Sequence, residues 1–350
     1  MIEMEETTIP FKNLTSREYP GHKKKVYSLA WNYMGTKLTS GSVDQTARVW
    51  HIEPHGHGKV KVIELKWHTK SVDQLCWDPK HADLIATASG DESGKCAQLA
   101  ELSGQNTPID LMGCTLPLDD ELTILDVRKV RPIHKQKFNY EVNEIARSTR
   151  IEIFFLTTGM VRTLLAYPSL RPVDTVMAHT AGCYCIAIDP FGRYFAVGSA
   201  DSLVSLWDIS EMLCVEHLQN LSDFHPVLVY TLIISIPIPG MISVCTFLRL
   251  PVRTISFNNT GEYLASASED LFIEISNFQT GRTVHQIPCR AAMNSVEWNP
   301  KSNLLESKGR PFYDTLIHTH FTRNTGPKGW RLRQRHFETS MEVLSTKFCH

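Results

Sequence analysis

The feature that most constrains the fold is an internal repeat. A short phrase of small and β-branched residues ends in an aspartate at four places, Asp44, Asp91, Asp201 and Asp270. Upstream of each lies an apolar phrase (LAWN, LCWDP, IAIDP and ISFNN), and VEWNP begins one further copy. Such runs on either side of a tight turn predict strand, turn and strand. A chain built from units like these buries its core by stacking the copies on one another.

The spacing within the copies is regular. Three of them carry a histidine before the first strand, and the distance from histidine to turn aspartate is 22 residues for His22, 23 for His68 and 22 for His179. This regularity indicates that the histidine and the aspartate belong to the same structural unit.

The repeat length predicts the fold class. The interval from Trp31 to Trp77 is 46 residues, and that from Phe257 to Trp298 is 41. A unit of about 40–45 residues with four short strands and a Trp-Asp ending, as at 207–208, is typical of a WD40 blade. We therefore expect an all-β protein: a WD40 β-propeller, nominally of seven blades, each a four-stranded antiparallel sheet, with an irregular insertion and tail.

The repeated polar residues are expected to have a structural role. An aspartate in a tight turn accepts hydrogen bonds from backbone amides. The WD40 pattern implies that it also reaches the histidine, which continues to a strand hydroxyl and an indole, and a buried network of this kind fixes strand register. An acid–base pair of histidine and aspartate is the alternative interpretation. The candidate residues are His22, Asp44, Trp50, His68, Asp91, His179, Asp201, Trp207 and Asp270.

Departures from the repeat define the expected domain organisation. Residues 1–19 form an N-terminal extension, residues 20–305 the propeller, and residues 306–350 a basic tail without repeats. The interval from Trp77 to Arg147 is 70 residues, where two blades need about 84. The missing length falls in 92–118, where the strand expected after Asp91 is absent.

A second departure is an apolar insertion at 222–249. Within it, residues 227–248 carry no charge over 22 positions, which is formally long enough to span a bilayer. A single span would place neighbouring blades on opposite sides of a membrane, and Pro237, Pro239 and Gly240 interrupt its centre. We interpret the insertion as an extruded loop or as translated non-coding sequence, and expect no membrane segment.

The third departure is the tail. Residues 308–350 contain eight Lys or Arg against three Asp or Glu and show no strand period. The last blade is therefore expected to lack its later strands, which leaves the closure of the ring undecided. The tail itself is either an RNA-binding segment, since WRLRQRHF mixes arginines with aromatic residues, or a shifted terminus without a selected role.

No motif for catalysis, a metal or a cofactor emerges. The run GDESGK (90–95) resembles a phosphate loop, but it is one residue short and lacks the following Ser or Thr. Cys183 and Cys185 alternate along a strand and are expected to point to one face, without the second pair that a zinc site needs. His318 and His320 are expected to lie in a solvated tail. The tryptophans that end the inner-strand phrases, Trp31, Trp77 and Trp298, are interpreted as core and not as a platform for nucleic-acid bases.

Composition narrows the class of partner and the compartment. A net charge of −1 and a pI near 6.9 exclude a globally basic nucleic-acid binder. Nine scattered cysteines favour a reduced intracellular compartment. The first 25 residues contain no apolar run, so no secretory signal is expected.

Longer runs point to one family of WD40 proteins. The segments FNYEVNEIA (138–146), AYPSLRPVDTVMAHTAGCYCIAIDPFGRYFAVGSADSLVSLWDISEMLCV (166–215) and PVRTISFNNTGEYLASASED (251–270) resemble the THO complex subunit 3 family. The resemblance implies a non-enzymatic nuclear scaffold of the THO/transcription-export complex, which couples transcription and mRNA processing to mRNA export. The implied partners are other THO subunits and mRNA export factors, with indirect RNA contact and no cofactor, membrane or small-molecule substrate.

A different WD40 role is the alternative hypothesis. The chain would then be a substrate receptor of a ubiquitin ligase or a reader of chromatin peptides, with its ligand at the mouth of the channel. An unusually acidic or aromatic rim around that channel would favour this alternative.

Overall fold

The computed structural model describes residues 14–52, 60–91, 93–98, 112–116, 121–126, 131–140, 142–148, 153–159, 161–166, 169–213, 241–245, 248–289, 292–309 and 315–321. Within these ranges the chain forms 26 strands and one short helix, in seven antiparallel sheets. The prediction of an all-β propeller is confirmed. We number the sheets as blades 1–7, in the chain order of their first strands.

The chain begins with β1 (Leu14–Pro20), which joins the last sheet. Blade 1 consists of β2 (Val26–Trp31), β3 (Lys37–Ser42), β4 (Ala47–His51) and β5 (Lys61–Leu65). Blade 2 consists of β6 (Val72–Trp77), β7 (Leu84–Ser89) and β8 (Ser93–Gln98). Blade 3 consists of β9 (Met112–Leu116), β10 (Glu121–Asp126) and β11 (Arg131–Lys137).

The second half of the ring is built in the same way. Blade 4 consists of β12 (Val142–Ser148), β13 (Ile153–Thr158), β14 (Val161–Ala166) and β15 (Pro172–Met177). Blade 5 consists of β16 (Cys183–Ile188), β17 (Tyr194–Ser199), β18 (Val204–Asp208), α1 (Ile209–Leu213) and β19 (Met241–Cys245). Blade 6 consists of β20 (Val252–Phe257), β21 (Tyr263–Ser268), β22 (Phe272–Asn277) and β23 (Thr283–Pro288). Blade 7 consists of β24 (Met293–Trp298), β25 (Leu304–Gly309), β26 (Thr315–Phe321) and β1.

In blades 1 and 6, burial falls from the middle of the blade to its outer edge. All six residues of β7, β13 and β21 are buried, whereas most residues of the outermost strands β5 and β23 are exposed or half-buried. A strand sandwiched between two neighbouring sheets is covered on both faces, so it carries a continuous run of small and apolar residues. The core therefore consists of layers between the blades.

The turn after the first strand is stabilised by its own polar residue. In blade 1 the Asn32 Oδ1 accepts hydrogen bonds from the Thr36 and Lys37 amides, both at 3.0 Å. Gly35 in this turn has φ of 68°, a region that favours glycine because it has no Cβ. Asp189 and Asn258 repeat the same bonds in blades 5 and 6. This explains why the apolar phrase ends in Asn or Asp.

Contacts between first strands hold the ring together. Strand β2 contacts β6, β12 contacts β16, β16 contacts β20, β20 contacts β24, and β24 contacts β2. Blade 2 meets blade 3 through β7 and β8 against β9. Leu122 of blade 3 lies in one apolar cluster with Val142, Phe154 and other residues of blade 4. The seven sheets thus form a continuous ring.

Blade 7 corrects the expected end of the repeat. Strand β25 extends to Gly309, and β26 lies inside the segment expected to be an irregular tail. It pairs with β1, in register from Leu14 with Phe321 to Pro20 with Thr315. The expectation that the last blade lacks its later strands is wrong, because its two outer strands come from opposite ends of the chain. The propeller extends beyond both expected boundaries, 20 and 305.

Two further expectations need correction. The strand expected to be missing after Asp91 is present as β8, which pairs with β7 from Leu84 with Gln98 to Ser89 with Ser93. Part of the apolar insertion 222–249 forms β19, which pairs with β18 at the outer edge of blade 5. The rest of the charge-free run, up to residue 240, lies outside the described residues. Among the described residues, no helix is long and apolar enough to cross a membrane.

Candidate functional site

Blade 1 holds a continuous polar network in its interior. The Trp50 indole donates to the Ser40 hydroxyl at 2.8 Å, and Ser40 Oγ lies 2.7 Å from His22 Nε2. On the other side of the imidazole, His22 Nδ1 lies 3.0 Å from Asp44 Oδ2. Because a carboxylate only accepts, Nδ1 carries a proton and donates it to Asp44. The same carboxylate accepts from the Lys23 amide at 2.9 Å and thereby holds the loop that leads into β2.

Blade 5 repeats this network, but the serine hydroxyl comes from a different strand. The distances from His179 Nδ1 to the two Asp201 oxygens are 3.2 and 3.1 Å, and Trp207 donates to a serine hydroxyl at 2.7 Å. That hydroxyl belongs to Ser205 on β18 and lies 2.9 Å from His179 Nε2. In blade 1 the hydroxyl comes instead from Ser40 on β3. Two neighbouring strands can therefore supply the hydroxyl at the same place.

Blade 2 has the histidine and the aspartate with a threonine as the third group. His68 Nδ1 lies 3.1 Å from Asp91 Oδ2, and His68 Nε2 lies 2.8 Å from Thr87 Oγ1. The Thr69 amide donates to Asp91 at 2.9 Å, as the Lys23 amide does in blade 1. The predicted partners of this copy are thus brought together.

Blade 6 keeps only the aspartate. The Asp270 Oδ2 accepts from the Arg249 and Leu250 amides at 2.9 and 3.1 Å, and from the Ser268 hydroxyl at 2.8 Å. Leu248 stands 22 residues before Asp270, where blade 5 has its histidine, and packs in the apolar layer between blades 5 and 6. The aspartate therefore anchors the entering loop with or without a histidine.

Electrostatics inside the networks favour ionised aspartates. Burial by itself would raise the pKa of the Asp44 carboxyl, but the hydrogen bond and charge of His22, with bonds from Thr46 and the Lys23 amide, outweigh it and lower this pKa well below its ordinary value. The pKa of Asp201 is lowered by the same balance, with His179 as the main opposing group. Each aspartate thus stays charged while its histidine is held in one orientation.

The geometry of the networks argues against acid–base chemistry on a substrate. His22, His68 and His179 are all buried, and both ring nitrogens of each have a partner inside the blade. A general base must be within hydrogen-bonding reach of the proton it removes from a substrate. Within the described ranges, no group of three or more His, Cys, Asp or Glu residues is placed to hold a metal ion.

The two cysteines of β16 do not share a face. Cys183 packs in the apolar layer towards blade 4, whereas Cys185 packs in the layer towards blade 6. The expectation that both point to one side is wrong, because a β-bulge between them shifts the register against β17. His318 and His320 lie on strand β26, not in an irregular tail.

A cavity that the sequence did not reveal opens at one end of the ring. It has a volume of about 300 Å³ and is lined by blades 7, 1 and 2. The tryptophans that end three first strands, Trp31, Trp77 and Trp298, line it together with Tyr33 and the acidic residues Asp78 and Glu297. All three tryptophans have low solvent exposure, as expected for core residues. It did not anticipate that they border a shared cavity.

This end of the ring lies opposite the His–Asp networks. His22 precedes β2 and contacts the turn at Asp44, whereas Trp31 ends β2. The blade 7–blade 1 seam is closed at the cavity end by Asn299, whose side-chain amide donates to the Gly35 carbonyl at 2.8 Å. The sequence signal for this cavity was the tryptophan that recurs at the end of the apolar phrase. Whether these tryptophans meet depends on which blades are neighbours in the ring.

Comparisons with known proteins agree with the propeller fold and indicate which family of WD40 proteins the chain belongs to. The model "WD domain, G-beta repeat" matches residues 13–51 and 170–208. THO complex subunit 3 of Arabidopsis thaliana is 63% identical over 331 residues, which cover 89% of this chain and 96% of that protein. A short stretch of 33 residues, 9% of this chain, is 70% identical to 2% of proteasome activator subunit 4 of the same plant.

Among solved structures, the β-propeller domain of Cps50 (Swd1) from Myceliophteria thermophila superposes with a TM-score of 0.66. The match covers 86% of this chain and 99% of that domain at 15% sequence identity. At this identity the likeness concerns the fold alone.

Proposed function

The chain belongs to the THO complex subunit 3 family, and we propose that it acts as a non-enzymatic WD40 scaffold subunit of a THO complex in the nucleus. The observation that carries this proposal is the 63% identity, which extends over 96% of the Arabidopsis subunit. In this role the propeller holds other THO subunits and mRNA export factors together, and its contact with RNA is indirect. It thereby couples transcription and mRNA processing to mRNA export.

The design of the ring supports a scaffold. Its three repeat histidines, His22, His68 and His179, are enclosed in structural networks. Its net charge of −1 suits protein partners better than direct nucleic-acid binding. Large apolar side chains are exposed on turns at both ends of the ring, among them Tyr33 and Phe191 at the cavity end and Trp67 and Leu271 at the opposite end. Exposed aromatic residues such as Tyr33, Phe191 and Trp67 are common anchors of protein interfaces.

Purification from nuclei tests the proposal. The tagged chain is expressed in plant cells at its natural level and purified from nuclease-treated nuclear extract, and the co-purifying proteins are identified by mass spectrometry. We expect the other THO subunits in near-equal amounts. A cullin adaptor or a chromatin complex in their place would contradict the proposal, as would a purified, folded chain without THO subunits.

A matched variant separates folding from assembly. A chain that ends at Gly309 lacks β26 and therefore cannot pair with β1. We expect this variant to lose all THO subunits together and to associate with chaperones, because a ring with an open blade 7 exposes its apolar edges. The variant Phe191→Asp keeps the ring and is expected to lose only those partners that contact this turn.

A further inference from the structure

The cavity between Trp31, Trp77 and Trp298, at the end of the ring opposite the His–Asp networks, is mainly aromatic and apolar. We propose that it binds a proline-rich segment of a partner protein in the polyproline II conformation. The cavity volume of about 300 Å³ is at the lower end for ligand pockets and suits a short stretch of extended peptide. The proposal rests on the lining of the cavity and not on membership of a THO complex.

The first argument is the composition of the lining. Of the twelve lining residues, three are tryptophans, one is the tyrosine Tyr33, and none is Lys or Arg. Aromatic-lined grooves are the docking sites of proline-rich segments. Tyr33 is 40% exposed and carries the aromatic lining to the surface. Nucleic-acid bases also stack on aromatic rings, but the phosphates that accompany them need basic residues nearby. The lining therefore favours a peptide over RNA.

The second argument is that the two acidic residues of the lining are engaged within the chain. The Asp78 Oδ1 accepts from the Lys80 and His81 amides at 2.7 and 2.8 Å and lies 3.0 Å from His81 Nδ1. Glu297 is paired across the strands with the buried Glu306 and is itself engaged in an interaction within the chain. Neither carboxylate is a free charge that would select a cation, so the lining favours an uncharged ligand.

The third argument is a buried donor. The Trp77 indole donates to the Ala30 carbonyl of the neighbouring blade at 3.0 Å. Trp31 is 8% exposed, and its indole Nε1 has no hydrogen-bond partner among the described residues. A buried donor without an acceptor is costly, and a peptide carbonyl in the cavity would satisfy it.

The free indole donor also favours one backbone conformation of the peptide. A polyproline II segment makes no internal hydrogen bonds, so all of its carbonyls can accept. An α-helix leaves only its last four carbonyls free, and with side chains it is about 10–12 Å across. A helical segment therefore fits a cavity of this size less well than an extended one. A proline-rich segment supplies the apolar rings and the carbonyl together.

A pair of peptide probes tests the site. The full chain, labelled with 15N in its tryptophan indoles, is titrated with capped decaproline and with a capped glycine–serine decapeptide, which has as many carbonyls and no rings. We expect decaproline to shift the Trp31 indole signal. The glycine–serine peptide should bind about tenfold more weakly or less, since it lacks both the apolar rings and the preformed conformation. Equal binding of both probes, or no shift with either, would overturn the proposal.

Variants locate the interaction. Tyr33→Ala removes an exposed ring of the lining and is expected to weaken decaproline binding about tenfold. Trp31→Phe keeps a ring but removes the indole N–H, and is expected to weaken binding about fivefold, as measured on the Trp77 and Trp298 signals.

The matched control is Tyr140→Ala. Tyr140 is 38% exposed, close to the value for Tyr33, and does not line the cavity. This variant is expected to bind decaproline as the unaltered chain does. Circular dichroism verifies that each variant is folded. Decaproline binding that is unaffected by both Tyr33→Ala and Trp31→Phe would contradict the site.

Two further arms exclude other occupants. Oligouridine that shifts the same indole signals more strongly than decaproline would overturn the peptide assignment in favour of RNA. The chain also has a proline-containing run of its own, IPIPG (236–240), directly before β19. If a double variant with Pro237→Ala and Pro239→Ala binds decaproline and the unaltered chain does not, the occupant is this run, and the assignment to a partner protein is wrong.

Discussion

Blades 5 and 6 are neighbours, and each has an aspartate in the turn after its second strand. The two blades differ in the residues that surround this aspartate in the blade interior. In blade 5, Asp201 contacts His179, and the network continues through Ser205 to Trp207. In blade 6, the residues at the same spacings are Asp270, Leu248, Glu274 and Ser276. Both aspartates hold the amide of the entering loop, at 3.1 Å in blade 5 and 2.9 Å in blade 6. The comparison shows that the aspartate–loop contact is the constant part and that the histidine is an addition.

The hydrogen bonding of the residue at the Ser205 position differs between the two blades. Ser205 is satisfied on both sides by His179 and Trp207. Glu274 occupies the equivalent position in blade 6 and is fully buried. Its Oε2 accepts from the Gln286 side chain at 2.7 Å, while its Oε1 has no hydrogen-bond partner among the described residues. Burial raises the pKa of Glu274 above its ordinary value, although bonds from Thr283 and Gln286 oppose this shift.

Removal of the histidine is expected to have the largest effect. His179→Ala leaves Asp201 and Ser205 without their buried partner and opens a cavity, so it should lower the free energy of unfolding by about 3 kcal/mol. Urea denaturation followed by tryptophan fluorescence measures this loss. Lys301→Ala, an exposed turn residue, is the control and should change stability little. If His179→Ala lowers the free energy of unfolding no more than the control does, the network does not stabilise blade 5.

Neutralising the aspartate tests the same network through pH. The pKa of Asp201 is lowered in the folded state, so its stabilising contribution is present above the ordinary carboxyl pKa and lost as the pH falls through the folded value. Asp201→Asn should cost about 2 kcal/mol at pH 7 and progressively less below pH about 4. Urea denaturation of both proteins from pH 7 to pH 3 measures the difference, and a constant difference would contradict the shift.

Blade 6 should respond to pH in the opposite direction. Because the pKa of Glu274 is raised, the folded state binds its proton more tightly, and stability is lost as the pH rises above the ordinary value of 4.5. Glu274→Gln removes the buried charge and should stabilise the protein at pH 7 by about 1 kcal/mol. Thermal unfolding at pH 7 and pH 4 tests this, and the gain should disappear at the lower pH. Destabilisation at pH 7 would mean that the carboxylate is better satisfied than its contacts indicate.

The smallest expected effect comes from moving the hydroxyl within blade 5. Blade 1 takes its hydroxyl from Ser40, four residues before the turn aspartate, where blade 5 has the buried Val197. Ser205→Ala alone should cost about 1.5 kcal/mol, and adding Val197→Ser should restore about 0.5 kcal/mol or more of that loss. A double-mutant cycle by urea denaturation measures this coupling. Simple additivity of the two changes would show that the two positions are not interchangeable.

The local units of the fold follow from the sequence in a physically direct way. His179 and Asp201 are 22 residues apart, within one strand–turn–strand unit, and the interval fixes their contact once the strands form. The apolar phrase predicts the first strand, and its final Asn or Asp explains the turn that follows. The same reasoning failed at Cys183 and Cys185, because a bulge between them depends on how β16 fits against β17.

The sequence by itself determined the repeating unit, the turn chemistry and the family, since these depend on residues close together in the chain or on long identical runs. The tertiary structure decided how the ring closes, because β1 and β26 pair across almost the whole chain and neither has a repeat to announce it. It also decided that Trp31, Trp77 and Trp298 share one cavity, since they come from blades that are adjacent only when the ring is closed. Local periodicity sets the strands, but the contacts between distant strands are set only by the packing of complete blades.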